Sequence, residues 1–167
     1  METGRFPWIR ESLAIWKKEM RVEFRTRYAY SALLMFAGTT LFAVSFSVGG
    51  FVADPEIAAA LLWLILFFSA MAGLSRTFIY EEEAGTAAAL KMAASPEAVY
   101  LGKYLCNATL LVTVTVVVVP LFTVLLKVPI PLWVHFPAVL LLGTLGLAAA
   151  GTLVAALAAN AGAKNSL

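Results

Sequence analysis

The chain has 167 residues, 62% hydrophobic and only 13% charged, with a mean hydropathy of +0.89, whereas soluble domains are about 45–50% apolar and 25% charged. This is the composition of a membrane chain. Twelve Lys and Arg against ten Asp and Glu leave a net charge of +2, too little clustered basic charge for nucleic-acid binding, and the single Cys106 can form neither an intramolecular disulfide nor a thiolate metal cluster.

In chain order, residues 1–27 come first and hold seven cations beside four acids. Over residues 8–25, Ile9, Leu13, Trp16, Met20 and Phe24 recur at helical spacing, and Lys17, Arg21 and Arg25 form a row on another face. The pattern predicts an interfacial amphipathic helix, its apolar stripe among acyl chains and its cations near headgroups. A plain topology anchor and a docking surface for a cytoplasmic partner are both compatible with it. Trp16, Lys18, Glu19, Arg21, Glu23 and Arg25 are its candidate functional residues.

Residues 28–53 carry no charge, and a helix of 26 residues spans about 39 Å at 1.5 Å per residue, enough to cross a bilayer. Uncharged runs over 57–75 and 104–126 predict the second and third spans. After Pro129, Pro131 and Pro137 break the chain, 137–160 is the fourth. The fold class expected is therefore an all-α polytopic bundle of four transmembrane helices, forming one membrane domain over 1–167. The segments on the N-terminal side of the membrane hold eleven cations and the opposite side only Lys127, so the N-terminus is expected in the cytoplasm. No cleavable signal peptide is visible.

The connection 76–103 is long and helical in composition. Glu81, Glu82 and Glu83 are consecutive, so on a helix they fan apart and share no metal or acid/base site. Helical pieces are predicted on either side of Ser95, with hinges at Gly85 and at Ser95-Pro96. Ser95 serves as N-cap, Pro96 as first helical residue and Glu97 sits at the positive end of the dipole. This bracket between two spans is suited to transmitting a push.

In the fourth span Gly146 and Ala150, then Gly151, Ala155 and Ala159, repeat small residues at four-residue steps, which lets helices approach within the subunit or at a subunit interface, and Gly143, Gly146, Gly151 and Ala155 are the candidate close-packing positions. No charge lies deep in a span, which disfavours ion-coupled transport. A phosphate loop is missing, because Gly102-Lys103 is followed by Tyr104. Nothing suggests a nucleophile with its base, so the chain is expected to be non-catalytic. His135, the single histidine, is expected at the outer interface; it is a weak candidate haem ligand and more simply a headgroup-level polar residue.

Three blocks carry a resemblance. They are Lys18 through Arg27; Arg76, Phe78, Glu81, Glu83, Gly85, Thr86, Ser95, Pro96, Tyr100, Leu101, Gly102, Lys103 and Asn107; and Gly143 through Leu147 with Gly151 through Asn160. In these blocks the chain resembles the CcmB family, permease subunits of cytochrome c maturation related to ABC-2 exporters. The resemblance implies an ABC-2-like permease in the bacterial inner membrane, coupled to a CcmA-like cytoplasmic ATPase that carries the ATP. It further implies CcmC-like and small membrane subunits, a CcmE-like haem chaperone whose release is the output, and haem as a cargo of the complex. Arg76, Glu81, Glu83, Gly85, Thr86, Ser95, Pro96, Gly102 and Lys103 become the ATPase-coupling positions. Members of that family are expected to have six membrane helices, and four are found here, so the chain is expected to be C-terminally truncated. An ABC-2 permease for a lipid, drug or glycan, and a non-transporting scaffold, are the alternative readings.

Overall fold

The computed structural model describes residues 7–48, 54–74, 90, 92–128 and 135–165. Among them are five long helices: α1 (Pro7–Thr26), α2 (Tyr28–Val48), α3 (Pro55–Leu74), α4 (Pro96–Leu126) and α5 (His135–Asn165). The last four are long and apolar enough to cross a membrane, so the chain is a multi-pass membrane protein.

Local chemistry sets the helix ends. Arg27 takes a left-handed conformation, φ 53°, and breaks the axis between α1 and α2. Asp54 caps α3, its Oδ1 accepting from the Glu56 N–H at 3.1 Å. Ser95 caps α4 and its Oγ accepts from the Ala98 N–H, with Pro96 in the first turn, where no intrahelical acceptor is needed. Lys127, at φ 54°, ends α4. The fourth span begins two residues earlier than expected, at His135, because Pro137 then falls in the first turn, where its missing N–H costs nothing.

The central helix is α4, which packs against each of the other four. Its 31 residues measure about 46 Å, while the hydrocarbon core takes up about 30 Å, so roughly ten residues extend beyond the core. The polar end, Pro96 to Lys103, is the extending part. The core is formed by Leu33, Ala37 and Leu41 of α2, Ile65 and Leu66 of α3, Leu111, Val114 and Val118 of α4 and Ala148 of α5. Large apolar side chains such as Phe46 and Val124 point outward, as expected where lipid is the solvent.

α5 buries the row Thr144, Ala148, Thr152, Ala155 and Ala159, and Gly151 is buried beside it. Gly143 faces Trp63 of α3 so closely that a Cβ there would run into the indole. Gly146 departs from the expectation for intramolecular packing: it is exposed, and a Cβ there would meet nothing within 4 Å. It lies on the opposite side of the helix from Thr144 and Ala148. Gly143→Ala is accordingly expected to destabilise by about 1 kcal/mol as Trp63 is displaced. Gly146→Ala is expected to be neutral or stabilising by up to about 1 kcal/mol through helix propensity. Thermal unfolding of both variants in detergent tests the pair, and equal effects would contradict this register.

Candidate functional site

Among the described residues, parts of all three sequence blocks meet around the first half of α4. α1 runs alongside it in the same chain direction, and the contacts keep a nearly constant offset: Glu11 with Ser95, Ile15 with Gly102, Glu19 with Lys103, Met20 with Cys106. At Gly102 the helices approach closely. A Cβ there would lie 2.7 Å from Ile15 Cβ and Cγ2 and 2.9 Å from the Ser12 carbonyl oxygen, so only glycine fits without displacement.

The face of α1 turned to the bundle is acidic. Glu11, Ile15, Glu19 and Glu23 follow at steps of four, which places them on one side of the helix. Each carboxylate meets a positive site. Glu11 Oε2 accepts from the N–H and the hydroxyl of Ser95, both at 3.4 Å, at the N-terminus of α4. Glu23 Oε1 accepts from the Tyr30 N–H at 2.8 Å, at the N-terminus of α2. Glu19 Oε1 lies 3.7 Å from Nζ of Lys103 and 3.0 Å from Nζ of Lys18. Lys103 is fully buried, an arrangement tolerable only with a counter-charge.

This corrects the expected apolar stripe. Trp16 and Met20 do not join Ile9, Leu13 and Phe24 on an outer face but turn to α4: the Trp16 indole N–H donates to Thr109 Oγ1 at 3.3 Å, and the Cys106 thiol donates to Met20 Sδ at 3.6 Å. Ile9, Leu13 and Phe24 stay exposed, as do Lys18, Arg21 and Arg25. α4 claims one side of the helix, and the apolar periodicity of α1 alone does not announce which.

On the other side of α4, α5 runs antiparallel. Asn107 Nδ2 donates to Thr152 Oγ1 at 2.9 Å, and Thr115 and Thr144 hydroxyls lie 3.5 Å apart, all four residues buried. Both pairs sum to the same number along the two helices, so a single register satisfies them. The Tyr100 hydroxyl donates to the Ala149 carbonyl at 3.4 Å, nearer the α4 N-terminus. Further along, Val116, Val119 and Pro120 of α4 and Phe136, Leu140 and Leu141 of α5 line an apolar lateral groove of about 510 Å³. His135 directly precedes that groove's Phe136.

Of the expected coupling positions, Ser95 and Pro96 start α4, and Gly102 and Lys103 are inside the α1–α4 contact rather than on a surface. Arg76, Glu81, Glu83, Gly85 and Thr86 lie outside the described residues. Sequence reasoning missed Glu11 and the Asn107–Thr152 pair. The four-residue recurrence of Glu11, Glu19 and Glu23 was the available signal for the first; for the second there was none, because a hydrogen bond across 45 residues has no local periodicity.

Residues 10–167 match the family described as CcmB protein. The chain belongs to the CcmB family. A relative of this CcmB-family chain, Heme exporter protein B of Rhodobacter capsulatus, is 33% identical over 151 residues, an alignment covering 86% of this chain and 67% of the relative. No solved structure matches the chain. The described parts of the three blocks that carry the resemblance, Lys18 to Arg27, Ser95 to Asn107, and Gly143 to Leu147 with Gly151 to Asn160, lie on or at the ends of α1, α4 and α5.

Proposed function

We propose that this CcmB-family chain is the permease subunit of an ATP-driven complex of cytochrome c maturation in the bacterial inner membrane, with its N-terminus in the cytoplasm. Haem is the cargo of the complex, and release of a haem-loaded, CcmE-like chaperone is its output. A CcmA-like ATPase supplies the ATP hydrolysis and docks on the 76–103 segment through Arg76, Glu81, Glu83, Gly85 and Thr86. CcmC-like and small membrane subunits complete the assembly. The observation that carries the reading is α4 itself, a continuous helix from the Ser95 cap to Leu126 that packs against every other helix. A push delivered next to Ser95 moves the whole rod. α1 moves with it through Glu11, Gly102 and Lys103, and α5 follows through Asn107 and Thr152. The name of the relative and the eleven-to-one cation asymmetry support the cargo and the orientation respectively.

The test is co-purification of the ATPase subunit with the Glu81→Lys/Glu83→Lys variant, read beside cytochrome c formation in a strain lacking its own permease. Both are expected to fall at least tenfold. Undiminished co-purification would remove the docking role of these glutamates. Cytochrome c formation that never depends on the chain, with the ATPase still bound, would shift the assignment to a permease for another cargo.

A further inference from the structure

The seam between α4 and α5 is closed at one end and open at the other. In the register set by Asn107 with Thr152 and Thr115 with Thr144, the helices meet through buried polar side chains as far as Thr115 and Thr144 and then part, leaving the lateral groove of about 510 Å³ between them. Val112, Val119, Phe136 and Leu140 form its half-buried wall, and Val116, Pro120 and Leu141 stand exposed on its rim. Pro120 lies inside α4 and has no N–H for the helix ladder, so α4 is least resistant to bending beside the gap.

The depth of the groove follows from charge. Thr115 stands twelve residues from Lys103 and twelve from Lys127, the cations that bound the uncharged stretch of α4, which puts the Thr115–Thr144 pair at the middle of the bilayer. From Thr144 back to Phe136 is eight residues of α5, about 12 Å of helix, against about 15 Å for half of the hydrocarbon core. The groove therefore runs through one leaflet, the leaflet at the α4–α5 connection, from the bilayer centre towards headgroup level, and it opens sideways along that length.

We propose that the groove holds one acyl chain of a phospholipid from that leaflet, its methyl end against Thr115 and Thr144 and its ester end beside Phe136 and Pro137. Length and medium select this occupant. One turn of α-helix with its side chains fills roughly 500 Å³, so a membrane-crossing partner helix, which needs about 20 residues, cannot be seated in the gap. Water would find little to bond: the Thr115 hydroxyl already donates to the Leu111 carbonyl at 2.8 Å, Thr144 Oγ1 lies 3.5 Å from it, and the other lining side chains are apolar. A flexible hydrocarbon that enters from the side matches the volume, the apolar walls and the one-leaflet length together. The chain acts as a wedge, filling the space between Val119 and Leu140, which the shared register sets opposite each other, and keeping α4 and α5 apart beyond the Thr115–Thr144 contact. An ordered lipid is then part of the packing rather than solvent, whatever cargo the complex carries.

The experiment uses the full chain in nanodiscs of phosphatidylcholine that carries a photoreactive diazirine either at the methyl end of one acyl chain or close to its ester. After illumination and digestion, the methyl-end probe is expected to mark Val112, Val116 and Thr144, and the ester-end probe Phe136, Pro137 and Leu140. Val139 and Leu142, exposed at similar depths but outside the groove, report ordinary solvating lipid. Labelling inside is expected to exceed labelling of these two about tenfold, equivalent to about 1.4 kcal/mol of preference. Native mass spectrometry in mild detergent is the second reading. One phospholipid per chain is expected to survive delipidation, and in Val116→Trp, whose indole fills the gap, its occupancy is expected to fall about tenfold as buried hydrocarbon contact is lost. Leu142→Trp, at similar depth on the opposite side of α5 from Thr144, is expected to keep the lipid. Equal labelling inside and outside the groove, a reversed order of the two probes, or lipid retention that Val116→Trp leaves unchanged overturns the proposal and leaves the groove to side chains of a partner helix.

Discussion

Replacing Gly102 by valine is expected to separate α1 from α4 and to cost about 2–3 kcal/mol, near the upper end of what overpacking a tight contact does. The magnitude follows from what surrounds the position. One near neighbour is the Cβ of Ile15 at 2.7 Å and another is the backbone carbonyl of Ser12 at 2.9 Å, neither of which can rotate away as the tip of a flexible side chain could. Cys106 provides the readout. It is 5% exposed and lies under Met20 of α1, so a maleimide reaches it only when α1 lifts. A loss of 2 kcal/mol in holding free energy corresponds to about 30-fold faster alkylation. Gly38→Val is the control, since a Cβ there meets nothing within 4 Å. Alkylation that rises equally in both variants, or in neither, would show that Gly102 is not the crossing point.

The second large effect concerns the charge buried beneath α1. Glu19→Gln removes the carboxylate that faces the fully buried Lys103, and destabilisation of about 3 kcal/mol is expected, as when a buried pair loses one member. Lys103→Met is expected to cost less, because the side chain of Glu19 remains 18% exposed and keeps Lys18 at 3.0 Å. The double variant should be more stable than the sum of the single losses predicts, by more than about 1 kcal/mol, since no uncompensated charge is left inside. Unfolding of the four chains in mixed detergent completes the cycle. Additive losses would mean that the two side chains act independently and that their ion pair does not help to hold α1 on α4.

Together the two variants separate shape from charge at one contact. If α4 transmits movement to α1, both should also reduce cytochrome c formation without displacing the ATPase, in contrast to Glu81→Lys/Glu83→Lys. The distinction is physical: the first pair loosens the connection after the push is received, while the second removes the surface that receives it.

Much of this was legible in the residue order. Uncharged runs long enough to cross a bilayer, bounded by charged residues such as Arg27, Asp54, Lys103 and Lys127, locate four spans because charge and hydrocarbon exclude each other. Ser95-Pro96-Glu97 predicts the start of α4 because a helix N-terminus has backbone donors to satisfy and a positive dipole end to complement. The helical spacing of α1 predicts that it is a helix with distinct faces. Which face meets what was decided by α4. A lipid-facing side and a bundle-facing side are both compatible with apolar residues, so Trp16 and Met20 could not be told from Leu13 and Phe24 by periodicity. Gly143 and Gly146 are alike as letters and differ only because Trp63 stands opposite one of them. Lys103 reads as a surface cation until Glu19, 84 positions away, is brought to it. Local hydrophobicity and capping act within a few residues and are determined by the sequence alone; counter-charges, close approaches and interhelical registers depend on partners distant in the chain, and only the tertiary structure supplies them.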